Sequence, residues 1–162
     1  MTYVTTPLSG INIADATSIT ANFTVGGYAD FNNGVRGIYV KAATTITAGD
    51  CVIIDGSGNA SQITTALTAA TAVGAAYIIA LANVAITSGS FGWCVIRGSA
   101  TLNVTAATAL GAPLYTTTTA GQLSSTGTNL ILGIMVTTAT GASGNTPALC
   151  SNPVLARGTV GA

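Results

Sequence analysis

The chain has no histidine and no glutamate, and its formal charges are four cations (Arg36, Lys41, Arg97, Arg157) against four aspartates (Asp15, Asp30, Asp50, Asp55). The two missing residue types are the commonest general acids, bases and metal ligands, so little is left to run chemistry with. Charged residues are 5% of the chain, against about 25% in an ordinary soluble domain. A net charge of +0 with scattered cations argues against nucleic-acid binding, which needs a basic stripe. The longest apolar stretch, Val73 to Ile86, is interrupted by Gly74 and Asn83 and falls short of the ~20 residues of a membrane span. The opening MTYVTTPLSG has neither a basic start nor an apolar run, so no export signal is expected and synthesis and retention in a cytoplasm are. Cys51, Cys94 and Cys150 are far apart and form no CxxC pair. Without histidine to complete a metal site, they read as buried reduced thiols.

What is present is 28 Thr, 28 Ala and 20 Gly, a vocabulary of strands, turns and close-packed small side chains. Apolar residues at 49% exclude disorder for the body of the chain. A near-neutral, charge-poor surface lacks the repulsion that keeps proteins apart, which favours self-association or life inside an assembly. This is the composition of a building block and not of an enzyme.

Along the chain, residues 1–35 hold isolated apolar side chains (Ile11, Ile13, Ile19, Phe23, Val25) among Pro7, Gly10, Gly26 and Gly27. They predict an extended N-terminal arm, with a short strand near Phe23 to Val25, whose apolar groups need a surface from elsewhere. The body, 36–151, is a string of short strand signals. Ile38 and Val40 share one face, with Tyr39 and Lys41 on the other. Cys51 to Ile54 is an apolar run entering Asp55-Gly56-Ser57-Gly58-Asn59, a hairpin loop. Further strands are expected over Tyr77 to Leu81, Phe91 to Arg97, Thr101 to Thr105, Leu114-Tyr115, Leu130 to Val136 and Thr146 to Leu149. Thr64 to Ala72 has alanine enough for a turn or two of helix at most. Turn signals every 8–15 residues predict an all-β domain, a compact antiparallel barrel or sandwich, followed by a tail over 152–162. Ala48 to Ala60 and Leu110 to Leu123 echo each other weakly: small-Gly-x-x, an apolar strand, a turn and a second strand. They read equally as two related hairpins in opposite walls of one barrel or as chance.

No constellation carries catalysis. Asp50 and Asp55 flank one strand, so four extended residues hold them roughly 13 Å apart, too far for a glycosidase pair. They read as turn residues. Ser88-Gly89-Ser90 lacks the nucleophile-elbow pattern. Asp55 to Asn59 lacks the ligands of a calcium loop. Gly26-Gly27 precedes Tyr28 and no helix, so it cradles no phosphate. The most distinctive cluster is Phe91-Gly92-Trp93 with Arg97. As a strand it puts Phe91, Trp93, Val95 and Arg97 on one face, which reads either as a core plug or as an oligomer interface. An arginine in such a face needs a partner, and Asp50, Asp55 or a carboxylate of a neighbouring subunit is expected to supply it.

Four segments taken in order resemble the small capsid decoration (cement) proteins of tailed bacteriophages. Tyr39-Val40-Lys41-Ala42, Ile46 to Asp50 and Val52 to Asp55 are similar to that family's "YVKA…ITAGDVVVID". Phe91 to Ser99 resembles its "YGWVALRGS", Pro113 to Thr116 with Ala120 to Leu123 its "PLYTSATAGVL", and Ile131 to Thr138 its "IDGIVLVT". The set spans about residues 37 to 140; Leu132 stands where the family has a polar residue. The resemblance implies a non-enzymatic virion protein without cofactor or metal, forming a homotrimer. It would sit on the outer surface of the expanded head, at junctions between capsomers of the major capsid protein, and hold the shell against internal DNA pressure. On that reading Ile11, Ile13, Ile19, Phe23 and Val25 lie along the capsid, adding a strand to its edge, and Phe91, Trp93 and Arg97 meet the other subunits. The rival is a tail, baseplate or surface-adhesion β-module.

Overall fold

A computed structural model describes residue 13 and residues 17–31, 34–69 and 77–156. The described chain is all-β, without a helix. Its strands are β1 (Tyr28–Asp30), β2 (Arg36–Ala42), β3 (Cys51–Ile54), β4 (Asn59–Gln62), β5 (Ile78–Leu81), β6 (Phe91–Val104), β7 (Leu114–Thr116), β8 (Leu123–Ser124), β9 (Leu130–Val136) and β10 (Gly144–Leu155). Residues 65–68 of the Ala/Thr segment form turns only, with the Thr68 N–H reaching the Thr64 carbonyl at 3.2 Å. Three threonines over 64–69 disfavour a helix there, and residues 70–72 of that segment lie outside the described residues.

Strands β2, β4, β3, β5 and β6 pair in that order, and β6 returns to β2, closing a five-stranded barrel. Its inside draws on every wall: Ile38, Val40, Ala42, Val52, Ile54, Ala60, Ala80, Cys94 and Ile96 form one buried cluster. The alternate residues of the same strands (Tyr39, Cys51, Ile53, Ile79, Leu81, Trp93, Val95) join a second cluster outside it. A strand buried on both faces is apolar throughout. That is why Cys51–Ile54 is buried at all four positions.

The pairings then repeat. Strand β2 is parallel to β4, which is antiparallel to β3; β3 pairs β5, β5 pairs β6, and β6 pairs β2. In the same order β6 is parallel to β8, β8 antiparallel to β7, β7 pairs β9, β9 pairs β10, and β10 pairs β6. The chain therefore holds two copies of one five-strand unit that share β6. The echo between Ala48–Ala60 and Leu110–Leu123 falls on equivalent hairpins, β3–β4 and β7–β8, one in each unit. The turns that launch them match as well. The Asp50 N–H bonds the Thr47 carbonyl and the Ala112 N–H bonds the Ala109 carbonyl, both at 3.2 Å. Gly49 (φ 92°) and Gly111 (φ 67°) occupy the third position, where a type II turn requires positive φ.

Three expectations need correction. The barrel is not wholly antiparallel, because each unit closes through a parallel pair: the chain skips one strand position and the hairpin folds back into the gap. The signals at Phe91 to Arg97 and Thr101 to Thr105 belong to one strand, β6, of 14 residues. Gly98 (φ 100°) lies within it, its Cα-hydrogen side against the Val35 backbone where a Cβ would come within 2.9 Å. At Gly98 the strand passes from the first unit to the second without ending. The last strand also runs on to Leu155, so residues 152–155 of the expected tail belong to the sheet.

Candidate interaction surface

The expected arm is built onto its own barrel from Thr17 onward. Ser18 and Phe91 exchange two backbone hydrogen bonds at 3.0 and 2.7 Å, and Gly26 and Gly27 hold Tyr39 at 2.7 and 2.8 Å. The strand in this stretch is Tyr28–Asp30, and Phe23 to Val25 lie in turns. Phe23 packs its ring 5.2 Å from Tyr39 and 5.3 Å from Trp93, while Phe31 meets Trp93 edge-on at 5.4 Å. Ile13 is buried and Val25 packs on the same cluster. Gly37 leaves room for this, since a Cβ there would lie 3.0 Å from both Ile13 and Phe31. The apolar groups Ile13, Phe23 and Val25 are thus packed on the barrel's outer face, Ile13 buried and Phe23 and Val25 half-buried. Ile19 is the exception, 88% exposed, and Ile11 lies outside the described residues.

The cluster of Phe91, Trp93 and Arg97 is divided in the same way. Trp93 is 6% exposed, a core plug under the arm. Phe91 is half-buried and stacked on Tyr39 at 6.1 Å, with Lys41 Nζ 5.8 Å from its ring centre. Arg97 alone is exposed; its register partners are Arg36 and Ser151. Neither Asp50 nor Asp55 reaches it, because both are occupied locally. Asp50, 1% exposed, accepts from the Thr47 N–H and hydroxyl at 2.7 Å each and from the Gln62 amide at 2.6 Å. Asp55 accepts from the Asn59 side chain (3.0 Å) and from the Ser57 and Asn59 N–H groups at 2.9 Å. These bonds, the Asn59 amide foremost, hold its carboxyl below the ordinary 3.8. Among the described residues the ion pair is Arg36 with Asp30, Nε to Oδ1 at 3.5 Å. It is a surface pair, worth about 0–1 kcal/mol.

The three cysteines are free and buried. Desolvation pushes the thiols of Cys94 and Cys150 up to about 12 and that of Cys51 well above its ordinary 9.0, so none offers a thiolate. No group of three or more metal-ligating side chains occurs among the described residues.

Ile19, Tyr28, Leu67 and Leu110 are exposed singly, whereas four exposed apolar side chains face one another in pairs on β9 and β10. Met135 faces Leu149 and Leu132 faces Val154 across the two strands. All four are 43–54% exposed, and no outward residue of either strand is charged. The sequence held a signal for this face: Leu130 to Val136 is apolar almost throughout, as expected of a strand that is apolar on both sides. A lining of Ile78, Ile79, Ile96, Pro153 and Val154 then leads from this face into a cavity of about 350 Å³, with Tyr28, Arg36, Tyr77 and Asn152 supplying its polar groups. No protein-family model, curated protein or solved structure matches the chain.

Proposed function

We propose that this protein is a capsid decoration protein: it binds the outside of an expanded bacteriophage head at capsomer junctions, as a homotrimer, and braces the shell. The observation that carries the reading is the uncharged apolar face of Leu132, Met135, Leu149 and Val154, set on an all-β barrel. The ordered resemblance over residues 37 to 140 supports the same reading. Covering such a face removes apolar surface from water with no charge to desolvate, which is favourable at about 25 cal/mol per Å². Contacts to several capsomers at once add through effective concentration.

The structure changes where that contact is expected. The packing of Phe23 and Val25 on the barrel supports a docking surface at the β9–β10 face together with Ile19, with Trp93 in a folding role. Cryo-electron microscopy of expanded heads, with and without the purified protein, tests the proposal. Added trimeric density at three-fold or quasi-three-fold junctions is the expected result. Bare heads at saturating protein would remove the capsid role and move the molecule to a tail, baseplate or adhesion role.

A further inference from the structure

The cavity beside the β9–β10 face is open at the end of the first barrel. Its floor is apolar (Ile78, Ile96) and its rim is Tyr28, Arg36, Asn152 and Val154. At about 350 Å³ it falls in the range of small ligand sites, roughly 300–1,000 Å³, and holds one large side chain and its backbone.

Three observations bear on what fills it. First, the guanidinium of Arg36 is underused. It stands 5.6 Å over the Tyr28 ring, and its buried Nε makes no hydrogen bond. Asp30 Oδ1 is near enough to pair with it, at 3.5 Å, but is not aligned to accept from it. Second, the charge here is unbalanced. Arg97 is the register partner of Arg36 across β2 and β6, which puts two cations against the one carboxylate of Asp30. Third, the wall is shaped by an irregularity. Strand β10 shifts register between Cys150 and Val154, and Asn152 takes φ 48°. Asparagine takes left-handed backbone more readily than other side-chain-bearing residues, and bulges re-aim the side chains beside them. Here the bulge places Asn152 and Val154 on the rim.

An apolar floor with a planar, incompletely bonded guanidinium at its rim recognises an apolar group next to a carboxylate. We propose that this cavity is a binding site for a partner-protein segment in which a leucine-sized side chain enters the cavity and an adjacent carboxylate bonds Arg36. A second copy of this chain is a poor source: Asp50 and Asp55 are bonded within their own turns, Asp30 stands between Ala29 and a Phe31 packed on Trp93, and Asp15 stands between two alanines. Identifying the partner as the major capsid protein rests on the function proposed above; the chemistry of the site does not.

N-acetyl-leucine, an isobutyl group beside a carboxylate, is the minimal probe, and N-acetyl-leucinamide is its uncharged control. Titrated into ¹⁵N-labelled full-length protein, N-acetyl-leucine is expected to give saturable shifts confined to the amides of Tyr28, Arg36, Ile78, Ile96, Asn152 and Val154. The amide is expected to bind about ten-fold more weakly. Arg36→Gln should remove that difference. Val154→Glu, at a 54% exposed position where folding is not at stake, should abolish binding by offering Arg36 an internal carboxylate. Equal affinity for acid and amide, shifts scattered over the surface, or a saturable response surviving in Val154→Glu overturns the proposal. Saturation by N-acetyl-leucine in a protein that ignores expanded heads upholds the site and refutes the capsid as its partner. Heads bound by wild type and released by both variants identify the capsid segment as the occupant.

Discussion

Replacing Asp50 by alanine is the sharpest test of how the two units are joined. The loop Thr47–Asp50 is one of the places where they meet. The Asn103 N–H bonds the Gly49 carbonyl at 2.7 Å, the Cys51 N–H bonds the Gly121 carbonyl at 2.8 Å, and the Asn145 side chain reaches the Ala48 carbonyl at 3.0 Å. The carboxylate of Asp50 fixes that loop from within, through Thr47 and Gln62. Hydrogen bonds to a charged group contribute about 1.5–3 kcal/mol each. The Thr47 hydroxyl can turn to water, which leaves two obligate bonds and a gross loss of about 3–6 kcal/mol. Against this, Oδ1 is buried without a partner, and removing it returns about 1–2 kcal/mol of desolvation. The expected net loss for Asp50→Ala is about 3 kcal/mol. Asp50→Asn keeps an acceptor for Gln62 and should lose about half as much. Guanidinium unfolding, followed by the single tryptophan and by circular dichroism, measures both. A loss under about 1 kcal/mol for Asp50→Ala would refute the claim that this carboxylate ties the units together.

Phe23→Ala should cost about 2 kcal/mol, below the usual range for a buried phenylalanine because the ring is only half-buried, and should red-shift Trp93 emission; unchanged emission would mean that the arm does not cover Trp93. The thiols are expected to resist a water-soluble disulfide reagent at pH 8 in the native protein and to react all together on unfolding. Because burial raises their folded values, their contribution to stability is complete below the ordinary 9.0 and is lost as pH rises toward about 12, so the unfolding midpoint should fall progressively above pH 9; a flat midpoint from pH 8 to 11 would contradict it. Leu149→Asp, at a half-exposed position, should change stability by no more than about 0.5 kcal/mol yet weaken association with heads and between subunits, read by co-sedimentation and analytical ultracentrifugation; full association would remove the β9–β10 face as the docking surface.

Much of this molecule is written in short-range pattern. The alternation of Ile38 and Val40 against Tyr39, the run Cys51–Ile54 and the turn at Asp55 to Asn59 each identify their element, because side-chain period and turn chemistry are local properties. Burial of the cysteines followed from their number, spacing and the lack of histidine. Three features needed the tertiary structure. Parallel closure of each unit depends on which strand fills a gap left by one far away in sequence. The fusion of two strand signals into β6 depends on Gly98 carrying the chain from one unit into the next. The fate of the aromatics is the clearest case: Phe23 read as a group seeking a foreign surface and Trp93 as either a core plug or an interface residue, and the two pack on each other. A sequence shows that an apolar side chain needs cover, while only the folded chain determines whether that cover comes from itself. Here it does for Phe23, Val25 and Trp93, and it leaves Leu132, Met135, Leu149 and Val154 facing outward.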